Sequence, residues 1–130
     1  MATGFPAITG DVLSAAMYNG LVTFAVSADQ TAATYTAVLT DQYQVLIPIN
    51  YATANTFKIP TNATVAFATG TVITLLNKGA GTVTISAVTS GTTTVLSAGA
   101  VAASPTLAQY KTAALLKVST DVWYVVGAIA

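Results

Sequence analysis

Hydrophobic and polar positions divide the chain into two regimes. From Asp11 onward, Leu13, Met17, Leu21 and Phe24 recur at i, i+4, i+8 and i+11 with Ala16 between them, which is one face of a helix. Asp11 or Ser14 can supply the oxygen that caps its first turn. Asn19-Gly20 lowers helicity at the centre, so the helix is short or ends there. Such a helix cannot bury its stripe alone, and a docked element or a neighbouring subunit must cover it. Residues 1–10, with Gly4, Pro6 and Gly10, read as an extended arm.

After Asp29 to Ala33 the period changes to two. Strands are predicted near 34–39, 43–49, 55–59, 63–67, 71–77, 82–88, 92–96, 110–118 and 122–128. Thr82-Val83-Thr84-Ile85-Ser86 alternates cleanly, with Val83 and Ile85 facing inward and the hydroxyls outward. Lys78-Gly79-Ala80-Gly81 reads as a hairpin loop, because glycine accepts the positive φ of such turns. Pro48 and Pro60 mark edges or strand ends, since proline cannot donate to a central ladder. Val95 to Pro105 is Ala-rich and irregular. Many short strands with frequent turn signals predict a mainly β fold, an antiparallel sandwich or barrel of about eight strands. The division expected is an N-terminal arm and short helix over 1–30 and a β-sandwich domain over 31–130.

Composition changes what this fold is for. Among 130 residues only Asp11, Asp29, Asp41, Asp121, Lys58, Lys78, Lys111 and Lys117 are charged, and Arg, Glu, His and Cys are absent. Charged residues are 6% of the chain, against about 25% in an ordinary soluble protein. Thr, Ser, Asn and Gln replace them, leaving little field to repel neighbours. The apolar half is rich in Ala and Val, which suits a modest core together with contact surfaces. Met1 to Pro6 has neither a basic nor an apolar leader region, so export by the general route is not expected. No run of 18 to 20 apolar residues offers a spanning helix. An outer-membrane barrel would need aromatic girdles, a polar lumen and a leader.

Candidate chemistry is sparse. Without His or Cys the common catalytic triads cannot form, and an aspartate pair is the one remaining acid-base device. Each Asp, however, stands alone beside a turn or helix start, where its carboxylate suits backbone N–H groups. Zinc sites want His or Cys and calcium sites want several carboxylates in one loop, so no metal or other cofactor is expected. Gly79-Ala80-Gly81 lacks the spacing of a phosphate loop. Four lysines balanced by four aspartates make no nucleic-acid patch. Trp123 and Tyr124 face opposite sides of one strand, one toward the core and the other toward solvent or a partner. Tyr18, Tyr35, Tyr43, Tyr51 and Tyr110 are either amphipathic core and interface residues or a glycan-stacking surface. Asn62-Ala63-Thr64 matches a glycosylation acceptor.

The order of Asp11-Val12-Leu13-Ser14-Ala15-Ala16-Met17-Tyr18-Asn19, Tyr35-Thr36-Ala37-Val38-Leu39-Thr40-Asp41 and Ala54-Asn55-Thr56-Phe57-Lys58-Ile59-Pro60 resembles a module in virion proteins of tailed bacteriophages. Val65-Ala66-Phe67-Ala68-Thr69-Gly70-Thr71, Gly79 to Ile85, Gln109-Tyr110, Ala114-Leu115-Leu116-Lys117 and the closing Trp123-Tyr124-Val125-Val126-Gly127 extend the resemblance over most of the chain from residue 11. Between Val88 and Pro105 the chain departs from it, with Ala, Val, Thr and Ser where more polar or basic residues belong. The resemblance implies an oligomeric virion protein without catalytic residues: a capsid decoration or cement protein, trimeric, on the outer surface of heads assembled in the host cytoplasm. Its partners would be the major capsid protein and copies of itself, with no membrane, nucleic acid or small-molecule substrate. The alternative is a tail-tip or tail-fibre-associated protein that helps bind the host surface. Phe5, Leu13, Met17, Leu21, Phe24, Tyr110 and Tyr124 are the candidate interface residues.

Overall fold

A computed structural model describes residues 25–97, 100–101 and 104–130. The predicted arm and helix, with Phe5, Leu13, Met17, Leu21 and Phe24, lie outside the described residues. The chain is mainly β. Among the described residues eleven strands run in order β1 (Ala25–Val26), β2 (Thr34–Thr36), β3 (Gln44–Ile49), β4 (Asn55–Ile59), β5 (Val72–Asn77), β6 (Val83–Ala87), β7 (Thr94–Ser97), β8 (Ala100–Val101), β9 (Thr106–Leu107), β10 (Thr112–Ser119) and β11 (Val122–Gly127). A 3-10 turn over Leu39–Tyr43 leads into β3.

Successive strands from β1 to β7 alternate between two sheets. The larger is ordered β1-β3-β5-β10-β11-β7-β8 and the smaller β2-β4-β6-β9. A chain that visits the other sheet between two neighbours returns in the same direction. Thus β1-β3, β3-β5, β2-β4 and β4-β6 are all parallel. The same sequence step separates Ile47 from Leu75 in one sheet and Asn55 from Val83 in the other, so this part of the chain winds as a coil. β10 then enters antiparallel between β5 and β11, and β11 runs parallel to β7. The sheets are therefore mixed, not antiparallel as the turn frequency had predicted. Short connections were read as hairpins, whereas most of them turn the chain from one sheet to the other.

Lys78-Gly79-Ala80-Gly81 is the clearest case. It joins β5 to β6 in different sheets, so it is a corner and not a hairpin. Its glycines answer a steric demand, because a Cβ on Gly79 would strike the backbone of Tyr51 and one on Gly81 that of Thr53. The corner stacks on the preceding corner, and the Gly81 N–H donates to Tyr51 O at 3.1 Å. Asn77, fully buried, closes this end by donating from Nδ2 to Gly81 O and Leu107 O at 2.8 and 2.9 Å.

Three other expectations change. Residues 63–67 form no strand: Thr64 and Val65 N–H groups both return to Thr61 O, and the Thr61 and Thr64 hydroxyls bond at 3.0 Å, a turn favoured after Pro60. Pro48 is the penultimate residue of β3, which lies between β1 and β5 and is not an edge, and its carbonyl accepts from Gln30 N–H at 2.9 Å. Part of the segment read as irregular, Leu96 and Ser97 with Ala100 and Val101, pairs antiparallel as β7-β8.

The inward faces of both sheets share one core. Ile47, Leu75, Leu115 and Trp123 come from the larger sheet, and Phe57, Val83, Ile85 and Leu107 from the smaller. Val83 and Ile85 are inward as the alternation predicted, and Trp123 is buried while Tyr124 is exposed.

Candidate functional site

The two sheets differ in what they turn outward. On the smaller sheet the alternation is strict: Asn55, Phe57 and Ile59 are buried while Thr56 and Lys58 face away, and Thr84 and Ser86 do the same on β6. Hydroxyls on an outer face are at home in water. On the larger sheet the strands read as near-continuous apolar runs, Val45-Leu46-Ile47-Pro48-Ile49, Val72-Ile73-Thr74-Leu75-Leu76 and Ala113-Ala114-Leu115-Leu116. Such runs belong to sheets covered on both faces.

The register shows where the second apolar set goes. With Ile73, Leu115, Trp123 and Val95 inward, Val72, Leu116, Tyr124 and Leu96 stand in one line across the outer face of β5, β10, β11 and β7. Pro48 and Leu76 pair farther along the same face, beyond Thr74, and Val26 and Leu46 pair at the β1 edge. Among the described residues, no strand of this sheet puts a charged side chain on that face. Val72 is 46% exposed and Val126 49%, and nothing among the described residues covers them. The line is thus an uncharged, partly exposed apolar strip, with Thr74 and Thr112 beside it on the same face.

At one end of the core, period two along β10 carries Ala113, Leu115 and then Lys117 inward. Lys117 is 2% exposed. Its Nζ donates to Phe67 O at 2.6 Å and to Asn62 Oδ1 at 2.5 Å, and the only ion pair among the described residues lies elsewhere. Phe67 meets Trp123 edge-on beside it. Asp121, in the β10-β11 turn with φ of 56°, accepts the Asn62 backbone N–H at 2.7 Å and the Thr93 hydroxyl at 3.1 Å through Oδ1. The cluster thus draws together the 61–67 turn, β10 and the segment before β7. The inward position of Lys117 was readable from the alternation, but lysine had been counted only as surface charge.

The other two described aspartates, Asp41 and Asp29, are also partnered. Asp41 accepts the Val38 N–H at 2.9 Å, which starts the 3-10 turn, and the Tyr35 hydroxyl at 2.8 Å. Burial, followed by this bond, pushes the Tyr35 hydroxyl well above the usual phenol range. Asp29 is paired with Lys78 at 2.8 Å; the hydrogen bonds from Lys78 and then Asn50 hold its carboxyl below the usual range. Among the described residues no group of three or more His, Cys, Asp or Glu gathers, and no helix is long and apolar enough to cross a membrane. A hollow at the end of the smaller sheet is lined by Lys58, Ser86, Ser90, Thr93 and Ser104, which offers hydroxyls and one cation.

Of the predicted interface residues, Tyr124 lies on the apolar outer face. Tyr110 stands away from it in the turn before β10, 76% exposed, with φ of 62° and its N–H on Asn77 O. The two ring pairs among the described residues, Tyr35–Phe57 and Phe67–Trp123, leave these tyrosines separate.

Comparison with protein-family models, with curated protein sequences and with solved structures finds no match.

Proposed function

We propose that the protein is a structural assembly subunit, a capsid decoration protein that seats on a virus head and binds copies of itself through the outer face of its larger sheet. The observation that carries this reading is the uncharged apolar line of Val72, Leu116, Tyr124 and Leu96 on a sheet whose strands have the composition of doubly covered ones. Such a face meets a neighbouring subunit without like-charge repulsion, and a closed ring of subunits gives it cover. The resemblance to tailed-phage virion modules supports the head as the setting and a trimer as the assembly. Affinity then comes from area and repetition and not from ion pairs.

The test is to label the protein on purified particles and count it. Many copies over the head surface support the reading. A few copies at the tail would instead favour the tail-tip alternative, in which exposed rings such as Tyr110 and Tyr124 meet host glycans. Absence from particles would overturn both.

A further inference from the structure

We propose that residues 11–24 dock on their own chain, across the first turn of the coil, so that Leu13, Met17, Leu21 and Phe24 close the core and do not face a partner. Both sheets end on this turn: β1 is an edge strand of the larger and β2 of the smaller, and among the described residues no strand lies beyond either. A parallel coil that stops at a bare edge exposes backbone and core together, and coils of this kind carry a capping element there. Val45 shows the need most directly. By period two it faces the core with Ile47 and Ile49, yet it is 45% exposed, because the β1–β3 register passes from Gln44 to Leu46 and leaves it without a cross-strand neighbour in β1. Along the 3-10 turn that leads into β3, Val38, Leu39 and Tyr43 are exposed as well. Gln44 Oε1 is withdrawn from water with no hydrogen-bond partner among the described residues, an acceptor that a donor from a covering segment would satisfy.

The occupant follows from where the described chain begins. Ala25 pairs with Gln44 in a parallel ladder, so the residue before it enters beside Tyr43. Residues 11–24 carry an apolar stripe at helical spacing and a single charge, Asp11, at the far end. As a helix they span roughly 20 Å, about the width of four strands, which suffices to cross the end of the coil. The rim matches the stripe in kind. Its one carboxylate, Asp41, is turned onto the Tyr35 hydroxyl and the Val38 N–H and leaves the apolar residues outermost. A neighbouring copy's segment would reach this rim by encounter, whereas the chain delivers its own at high effective concentration. The rim is built from the core side of β3 and the turn before it, not from the outer face of the larger sheet, so the cap and the proposed assembly are tested apart.

Hydrogen exchange of the full chain, read by mass spectrometry of its peptides, tests the cap. The amides of residues 11–24 should exchange roughly tenfold or more slowly than in a free peptide of the same sequence, at every protein concentration. Met17→Asp should release that protection and speed exchange over residues 38–45 by a similar factor, while β10 and β11 stay protected. Tyr43→Asp, which alters the rim instead, should speed exchange over 11–24 in return. Free-peptide exchange over 11–24 in the wild-type chain overturns the proposal without any variant having to fold. Protection that fades on dilution also overturns it, since the segment then docks on another copy. So does release of 11–24 by Met17→Asp with 38–45 unchanged, or unchanged exchange over 11–24 in Tyr43→Asp, since the segment then covers a different surface.

Discussion

The Phe67 ring meets Trp123 edge to face, with centroids 5.5 Å apart and planes at 90°. Phe67 belongs to no strand. It drops from the turn between β4 and β5 and plugs the end of the core that Lys117 also reaches. Because that site is filled by one large side chain from a loop, Phe67→Ala should leave a cavity and cost ~3–5 kcal/mol, a large share of a small domain's stability. Urea unfolding followed by Trp123 fluorescence measures it. The emission should also report a wetter indole before unfolding begins.

The stacked corners give a sharper steric prediction. Gly81→Ala would drive a Cβ into the Thr53 backbone, which cannot rotate aside as a side chain would. Overpacking against fixed atoms should cost ~1–3 kcal/mol, toward the upper end. Gly91→Ala is the control, since its Cβ would meet nothing within 4 Å. A lowered unfolding midpoint for the first and an unchanged one for the second would confirm that the coil is held by corner-on-corner contact.

Tyr35 should make the fold sensitive to alkali. Its hydroxyl is raised above the usual phenol range by burial and by donation to Asp41, so the folded state favours the protonated form. Its contribution is fully present below the unfolded phenol value of about 10 and is lost as pH climbs through the folded value. Tyr35→Phe removes the donor, leaves Asp41 with the Val38 N–H alone, and should cost ~1–2 kcal/mol at neutral pH. In denaturant titrations above about pH 10 the variant should then lose less stability per pH unit than the wild-type chain.

These elements were not equally legible in the sequence. Strand positions came through where alternation was strict: 55–59 was read with its observed bounds, and Val83 and Ile85 were assigned to the right face. Topology did not, because glycine signals a turn without saying whether the chain doubles back or crosses to another sheet. Gly79 and Gly81 were credited with positive φ, but the need they meet is backbone clearance, which depends on a corner some 28 residues earlier in the coil, as the Asn55–Val83 register shows. The apolar outer face was half visible. Tyr124 was picked out by period two beside Trp123, while Val72, Leu96 and Leu116, which share its outer face, were assigned to neither face. Long apolar runs such as 45–49 and 113–116 carried the missing signal, since a strand wetted on one face has no reason to be apolar on both. The buried Lys117 was hidden by residue type, which argues for surface, although its spacing from Ala113 and Leu115 argues for core.

The proposed association through the larger sheet predicts a specific electrostatic signature. The face contains no charge to screen, so raising salt should leave the oligomer intact or tighten it, whereas an assembly held by ion pairs would loosen. Leu116 sits mid-line, between Val72 and Tyr124 on neighbouring strands. Burying a leucine stabilises a contact by ~1.5–3 kcal/mol, and Leu116→Lys would lose that and add a charge to be desolvated in every copy. Association should therefore weaken at least tenfold per contact, read by sedimentation across a concentration series. Lys58→Ala, on the hydroxyl-bearing outer face of the smaller sheet, should leave it unchanged. If both variants remain oligomeric at wild-type affinity while their circular dichroism is native, the larger sheet is not the interface. If Leu116→Lys alone becomes monomeric and still melts cooperatively, the apolar outer face belongs to assembly and not to the fold.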